Sequence, residues 1–119
     1  MAEECDFRIY PQEEEIRLKQ KISEYLKVPQ VCVTLGNSSD EVMERVIRIF
    51  LESGDRAVTF TPTFTVFKYC VQYQDAEYVA VPLKNDFSID MEGMRKAFTS
   101  SSKLLYLCSP NNPTASQQS

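Results

Sequence analysis

No histidine and no tryptophan occur in the 119 residues, and glycine appears only three times. Without histidine the Ser-His-Asp and Cys-His nucleophilic constellations are excluded within the chain, together with the commonest general base. A zinc site would need all four cysteines. Cys5, Cys32, Cys70 and Cys108 are far apart and form no C-x-x-C pair, so the expectation is isolated core thiols and no metal site. Three glycines leave no glycine-rich phosphate fingerprint, which weighs against a nucleotide-binding α/β domain. Positive charge is also scarce: 13 Lys and Arg face 17 Asp and Glu, for a net charge of -4, and the cations are scattered. Nothing here holds a nucleic-acid backbone electrostatically. No apolar run approaches the roughly 18 residues that span a bilayer, and the acidic start Met1-Ala2-Glu3-Glu4-Cys5-Asp6 lacks the basic-then-apolar pattern of a signal peptide. The expected protein is cytoplasmic and engages neither membrane nor nucleic acid.

The composition, 43% hydrophobic and 25% charged, is that of a globular chain long enough for one domain. Pro11 suits a first helical position, Glu13 to Glu15 favour the positive end of a helix dipole, and Leu18, Ile22, Tyr25 and Leu26 recur at helical spacing up to Val28-Pro29. Val31 to Leu35 reads as a short buried strand. Gly36 to Glu41 is the turn and cap of a second helix, whose inner face is expected at Val42, Val46, Ile49 and Phe50, with Gly54-Asp55 ending it. The alternation continues: a strand over Arg56 to Thr61, a turn and helix over Pro62 to Tyr73, and a strand over Glu77 to Leu83. A helix capped by Asp90 follows, with Met94, Ala97 and Phe98 facing inward, and then a strand over Lys103 to Cys108. Strands alternating with helices imply crossover connections, hence an α/β fold with a mostly parallel sheet of about four strands covered on both faces. An open sheet of that size leaves an unpaired edge and an incompletely covered apolar face, both of which promote association. The polar end, residues 114–119, is expected to fray.

In a parallel sheet, ligands sit beyond the carboxyl ends of the strands. Three segments fall there: Gly36 to Glu41, Thr61 to Phe67, and Ser109 to Thr114. The first leads into a helix through small polar residues, so free backbone N–H groups and hydroxyls can face an anion; Ser38 or Ser39 as a plain N-cap accounts for the same letters. Pro62-Thr63-Phe64-Thr65-Val66-Phe67 sets a ring just past a strand, able to stack on a planar cofactor or to pack in the core. In Asn111-Asn112-Pro113-Thr114 an amide can donate to a ring oxygen while proline stiffens the loop, and the same residues are common turn formers.

Taken together, Tyr10-Pro11, Leu35-Gly36-Asn37-Ser38-Ser39-Asp40-Glu41, Gly54-Asp55, Pro62-Thr63-Phe64, Val81-Pro82-Leu83 and Cys108-Ser109-Pro110-Asn111-Asn112-Pro113-Thr114 occur in an order and spacing that resembles histidinol-phosphate aminotransferases, within the fold type I enzymes that use pyridoxal 5'-phosphate (PLP). The resemblance covers Ile9 to Thr114. It implies an incomplete three-layer α/β/α arrangement, part of that family's large domain and a single partial domain over residues 1–119. It also implies amino-group transfer between histidinol phosphate, or a similar small-molecule amino donor, and a 2-oxo acid such as 2-oxoglutarate, in histidine biosynthesis. Ser39 and Asp40 match the residues whose amides hold the PLP phosphate, Phe64 the aromatic on the pyridine ring, and Asn112 the asparagine at the ring hydroxyl. Tyr10 matches a tyrosine that reaches the partner subunit's phosphate in a homodimer.

Ala115 departs from the family's usual glycine. None of the seven lysines matches the Schiff-base lysine, and the expected aspartate, tyrosine and arginines around the cofactor have no counterpart. The chain is therefore expected to be a fragment that is inactive alone, with no catalytic residue of its own. A non-catalytic anion-binding or interaction module derived from the same fold is the alternative.

Overall fold

The structure, a computed structural model, describes residues 12–117, with side chains from Glu14 onward. Tyr10 and Pro11 lie outside the described residues. Two compact units divide the chain, Met1–Asn37 and Ser38–Ser119.

In the first unit, α1 (Gln12–Leu26) forms where the apolar spacing predicts it, and a single 3₁₀ turn (Gln30–Cys32) follows. The strand expected over Val31 to Leu35 is not there. The amides of Cys32 and Val33 donate to the carbonyls of Pro29 and Gln30 at 2.9 and 3.0 Å, and Val31 is 92% exposed. A strand exists only through the ladder it shares with a neighbour, and this segment has none among the described residues, so its backbone closes locally.

The second unit is the α/β layer structure. Helix α2 (Ser39–Phe50) leads through a turn to β1 (Arg56–Thr61), followed by α3 (Val66–Tyr73), β2 (Glu77–Pro82), α4 (Met91–Ala97) and β3 (Ser102–Leu105). Both pairings are parallel, β1 with β2 and β1 with β3, in the order β2-β1-β3, so among the described residues the sheet has three strands rather than about four. Central β1 is buried on both faces, as its run Ala57-Val58-Thr59-Phe60 requires. Alternation splits the layers. Ala57, Tyr78 and Leu104 face α2 and α3, where Ile47, Leu51, Phe67 and Val71 complete the main core. The opposite face carries α4, with Met94 buried against it.

Two sequence expectations need correction here. β3 ends at Leu105 rather than Cys108, although Tyr106 still donates its amide to the Val58 carbonyl at 3.0 Å. On α2, the face turned inward is Met43, Ile47 and Leu51; of the residues expected there, Val42 is half-buried, Val46 is exposed, and Ile49 and Phe50 are 74% and 58% exposed. This helix is apolar on two stripes, the pattern of a helix covered on two sides, and the sheet of this unit covers only one.

Two local devices hold the layers in place. Arg56 donates from Nε and Nη2 to both oxygens of Glu77 at 2.7 and 2.9 Å, and from Nη1 to the Ala97 carbonyl at 3.0 Å, tying β1 to β2 and to the end of α4. At the start of α4, Asp90 caps the helix by accepting from the Gly93 amide at 3.1 Å. A Cβ on Gly93 would meet Asp90 Oδ2 at 2.5 Å and Val81 Cγ1 at 2.9 Å. Alanine gains about 1 kcal/mol of helix propensity over glycine, whereas overpacking costs about 1–3 kcal/mol and displacing the cap about 1 kcal/mol more. Gly93→Ala is therefore expected to lower stability by roughly 1–3 kcal/mol, read from the denaturant midpoint; a rise in the midpoint would show that α4 does not press on β2 as described.

Candidate functional site

The chain leaves β1 through α3 on one face of the sheet, reaches β2, and returns through α4 on the other face to β3 on the far side of β1. Loops at the carboxyl ends of β1 and β3 thus flank a point where the connections diverge, the place where parallel α/β sheets take ligands. Both loops are those expected from the sequence.

They are fastened to each other. Thr63, just past β1, donates its hydroxyl to Asn111 Oδ1 at 2.8 Å. Asn111 Nδ2 in turn donates to the Pro62 carbonyl at 3.0 Å and to Thr114 Oγ1 at 2.8 Å. Both Thr63 and Asn111 are buried. The loop beyond β3 is closed on itself, because the Asn111 amide donates to the Ser116 carbonyl at 2.8 Å and the Ala115 amide to the Asn111 carbonyl at 2.7 Å. The fraying expected from residue 114 onward thus does not hold at Thr114, Ala115 and Ser116, whose polar groups are engaged with this loop. Phe64 follows Thr63 and is half-buried; Asn112 follows Asn111 and is exposed.

The third segment is the start of α2. Ser38 is its N-cap, and its hydroxyl accepts from the Asp40 amide at 3.2 Å, so the plain-cap reading of these serines is correct for Ser38. Ser39 opens the helix and is exposed, and Asp40 is half-buried. The Asp40 carboxylate is close enough to Tyr106 and Cys70 to raise the pKa of both. Burial is the main cause in each case, pushing the Tyr106 phenol up to about 12, with a hydrogen bond and the charge of Cys108 adding to it. The Cys70 thiol is raised by burial first, then by Glu44 and Asp40, against the opposing charge of Arg48. Tyr106 lies immediately beyond β3 and its carbonyl accepts from Thr59 Oγ1 at 2.8 Å, so the beginning of α2 is set against the same end of the sheet. Its surroundings are neutral or acidic: Arg45 pairs with Glu41, and Arg48 with Glu44 at 2.7 Å.

Ser39, Asp40, Phe64 and Asn112 therefore belong to one end of one unit, while Tyr10 is outside the described residues. Nearby, an open groove of about 380 Å³ runs between α2 and β3, lined by Ser39, Met43, Ile47, Phe67, Leu104 and Tyr106. It is almost wholly apolar and suits packing better than an anionic ligand. Sequence reasoning passed over Thr63 and Asn111. The doubled asparagine was the available sign, since one loop rarely needs two such amides in the same environment.

A profile of the family described as aminotransferase class I and II matches residues 2–118. The chain belongs to that family. The histidinol-phosphate aminotransferase of Symbiobacterium thermophilum is 37% identical over 105 residues, 88% of this chain and 29% of that protein. That of Bacillus subtilis is 32% identical over 111 residues, 93% of this chain and 31% of its own length. Among solved structures, the crystal structure of histidinol-phosphate aminotransferase from Sinorhizobium meliloti in complex with pyridoxal-5'-phosphate superimposes with a TM-score of 0.73 at 29% identity, covering 84% of this chain and 27% of that one. A single mutant of Thermus thermophilus aspartate aminotransferase gives 0.80 at 22% identity over 85% of this chain and 28% of its own, a likeness of fold alone. The aminotransferase chain thus spans about three-tenths of the length of the curated relatives it matches. Among its described residues no helix is long and apolar enough to cross a membrane.

Proposed function

We propose that this chain supplies the ring-face and phosphate-start portion of a PLP site in an aminotransferase most like histidinol-phosphate aminotransferase. The observation that carries the reading is the Thr63–Asn111 hydrogen bond, because it sets Phe64 and Asn112 on neighbouring loops at the carboxyl end of the sheet. The donor set suits the cofactor: a helix N-terminus with an exposed serine for a phosphate, an aromatic ring for the pyridine face, and an exposed carboxamide for the ring hydroxyl. When bound, PLP supplies an electron sink for charge developing on the substrate carbon.

The residues present divide the work of holding it. Phe64 stacks on one face of the ring and excludes water from it. Asn112 donates to the ring hydroxyl oxygen and fixes the ring's rotation. Ser39 and the amides of the first turn of α2 donate to the phosphate, which competes with Ser38 Oγ for the Asp40 N–H. Asp40 and Glu41 oppose that charge, so cationic or hydroxyl partners must come from elsewhere, and Tyr10 of a second copy is the candidate in a homodimer. The donor is histidinol phosphate or a similar amino compound and the acceptor a 2-oxo acid such as 2-oxoglutarate. On this reading the complete enzyme acts in histidine biosynthesis, in the cytoplasm.

Co-expression with the segment that follows the matched region in the Symbiobacterium thermophilum relative tests the assignment. PLP is expected to bind the assembly, and Phe64→Ala to weaken it by roughly 1–3 kcal/mol, the worth of an aromatic stacked on a base-like ring. Unchanged PLP affinity in a Phe64→Ala protein that remains folded would overturn the placement of Phe64 on the ring.

A further inference from the structure

We propose that Asn111 is the positioning residue of this rim: its carboxamide locks the loop that carries Phe64 to the loop that carries Asn112 and so fixes the spacing of the two groups. What that spacing serves rests on the PLP reading; the lock itself does not.

All three hydrogen-bonding directions of the Asn111 side chain that point into the protein are used. Oδ1 accepts from Thr63, while Nδ2 donates to the Pro62 carbonyl and to Thr114 Oγ1. The orientation of the amide follows from the partners, because the reversed head would turn its oxygen toward a carbonyl that cannot donate. Asn111 is 3% exposed, so each of these groups is removed from water and costs free energy if left unpaired. The head group spans two loops that are 48 residues apart in sequence. Its own loop is rigidified by the Asn111 and Ala115 amides, which close it at Ser116 and Asn111. Leucine, of similar volume, offers no donor or acceptor here. Aspartate offers acceptors only and would set one against the Pro62 carbonyl.

A lock of this kind couples the loops, so a change on the β1 side must be felt on the β3 side. Residue-resolved amide hydrogen exchange of the full chain by NMR reads this without any cofactor. Thr63→Val removes the hydroxyl at nearly constant volume. It is expected to speed exchange of the Ala115 amide about tenfold, the loss of one well-made buried hydrogen bond. The Glu77 amide, bonded to the Asp55 carbonyl at 2.7 Å at the other end of the sheet, should keep its rate. Thr63→Ser, which keeps the hydroxyl, should restore the wild-type rate at Ala115. Asn111→Asp should behave like Thr63→Val at Ala115 and also loosen the Leu83 amide, which donates to Thr61 beside the lock at 2.8 Å.

Unchanged exchange at Ala115 in Thr63→Val overturns the proposal, and so does equal acceleration at Ala115 and Glu77, which marks general loosening. If Asn111→Asp does not fold, the Thr63 pair decides alone. A parallel PLP titration of the co-expressed assembly, followed by absorbance, addresses the other reading. Where PLP binds, Thr63→Val should weaken it several-fold although Thr63 is not placed against the ring. Absence of PLP binding to the wild-type assembly counts against the cofactor assignment and leaves the exchange result to decide the lock.

Discussion

Phe67→Ala is expected to remove about 3–5 kcal/mol of stability, a large share of the roughly 5–15 kcal/mol by which a domain is stable. Phe67 is 3% exposed, stacks on Tyr106 with ring centroids 4.5 Å apart and planes 17° apart, and meets Tyr78 at 6.2 Å in a tilted arrangement. It is the side chain through which α3 touches both flanking positions of the sheet, so its loss opens a cavity that backbone hydrogen bonds hold apart. Denaturant unfolding followed by circular dichroism gives the magnitude, with Phe64→Ala as the reference for a half-buried ring at about 1–2 kcal/mol. A Phe67→Ala protein that unfolds at the same denaturant concentration as wild type would show that this ring is not in the core. An independent readout is the Tyr106 phenol. Its pKa is pushed up to about 12, mainly by burial, so the folded state holds its proton more tightly than the unfolded chain. The stability linked to this group is therefore complete below pH 10 and lost as pH rises toward 12. Removing Phe67 should return the ultraviolet titration of Tyr106 toward its ordinary value.

Incubation with PLP, reduction with borohydride and peptide mass mapping are expected to give only scattered, substoichiometric labelling of lysine. The expectation comes from where the lysines are. Lys19 and Lys96 pair with Glu15 and Glu92 along helix surfaces at 3.0 and 2.6 Å, and Lys21, Lys27, Lys68, Lys84 and Lys103 are exposed. A lysine that captures a carbonyl cofactor efficiently needs its amine made reactive by burial or by a neighbouring cation, and none of the seven is buried. One stoichiometric adduct at a single lysine would refute this and would make that residue the centre of the site.

Much of the fold was legible because its signals are local. Arg56 to Thr61 and Glu77 to Leu83 are apolar runs with β-branched residues, and both became strands, the second ending at Pro82. Asp90 stands where a cap belongs and accepts from the Gly93 amide. What failed depended on partners. Val31 to Leu35 has the letters of a buried strand, but periodicity carries no information about which neighbour completes the ladder. On α2 the apolar positions fall into two stripes, and sequence cannot say which one finds the sheet. The placement of the segments was legible in their order along the chain, since Ser38 to Glu41, Thr61 to Phe67 and Ser109 to Thr114 lie at one end of the unit that begins at Ser38. Within Asn111-Asn112 the division of labour was not legible. Burial, which decides that Asn111 faces inward and Asn112 outward, is set by Thr63, 48 residues earlier in the chain.

Gln30 to Leu35 has a second life as a hazard. Six consecutive residues carry no charge and no proline, four of them β-branched or leucine, and Val31 stands almost fully in solvent. Such a stretch needs only another extended chain beside it to build intermolecular cross-β stacks.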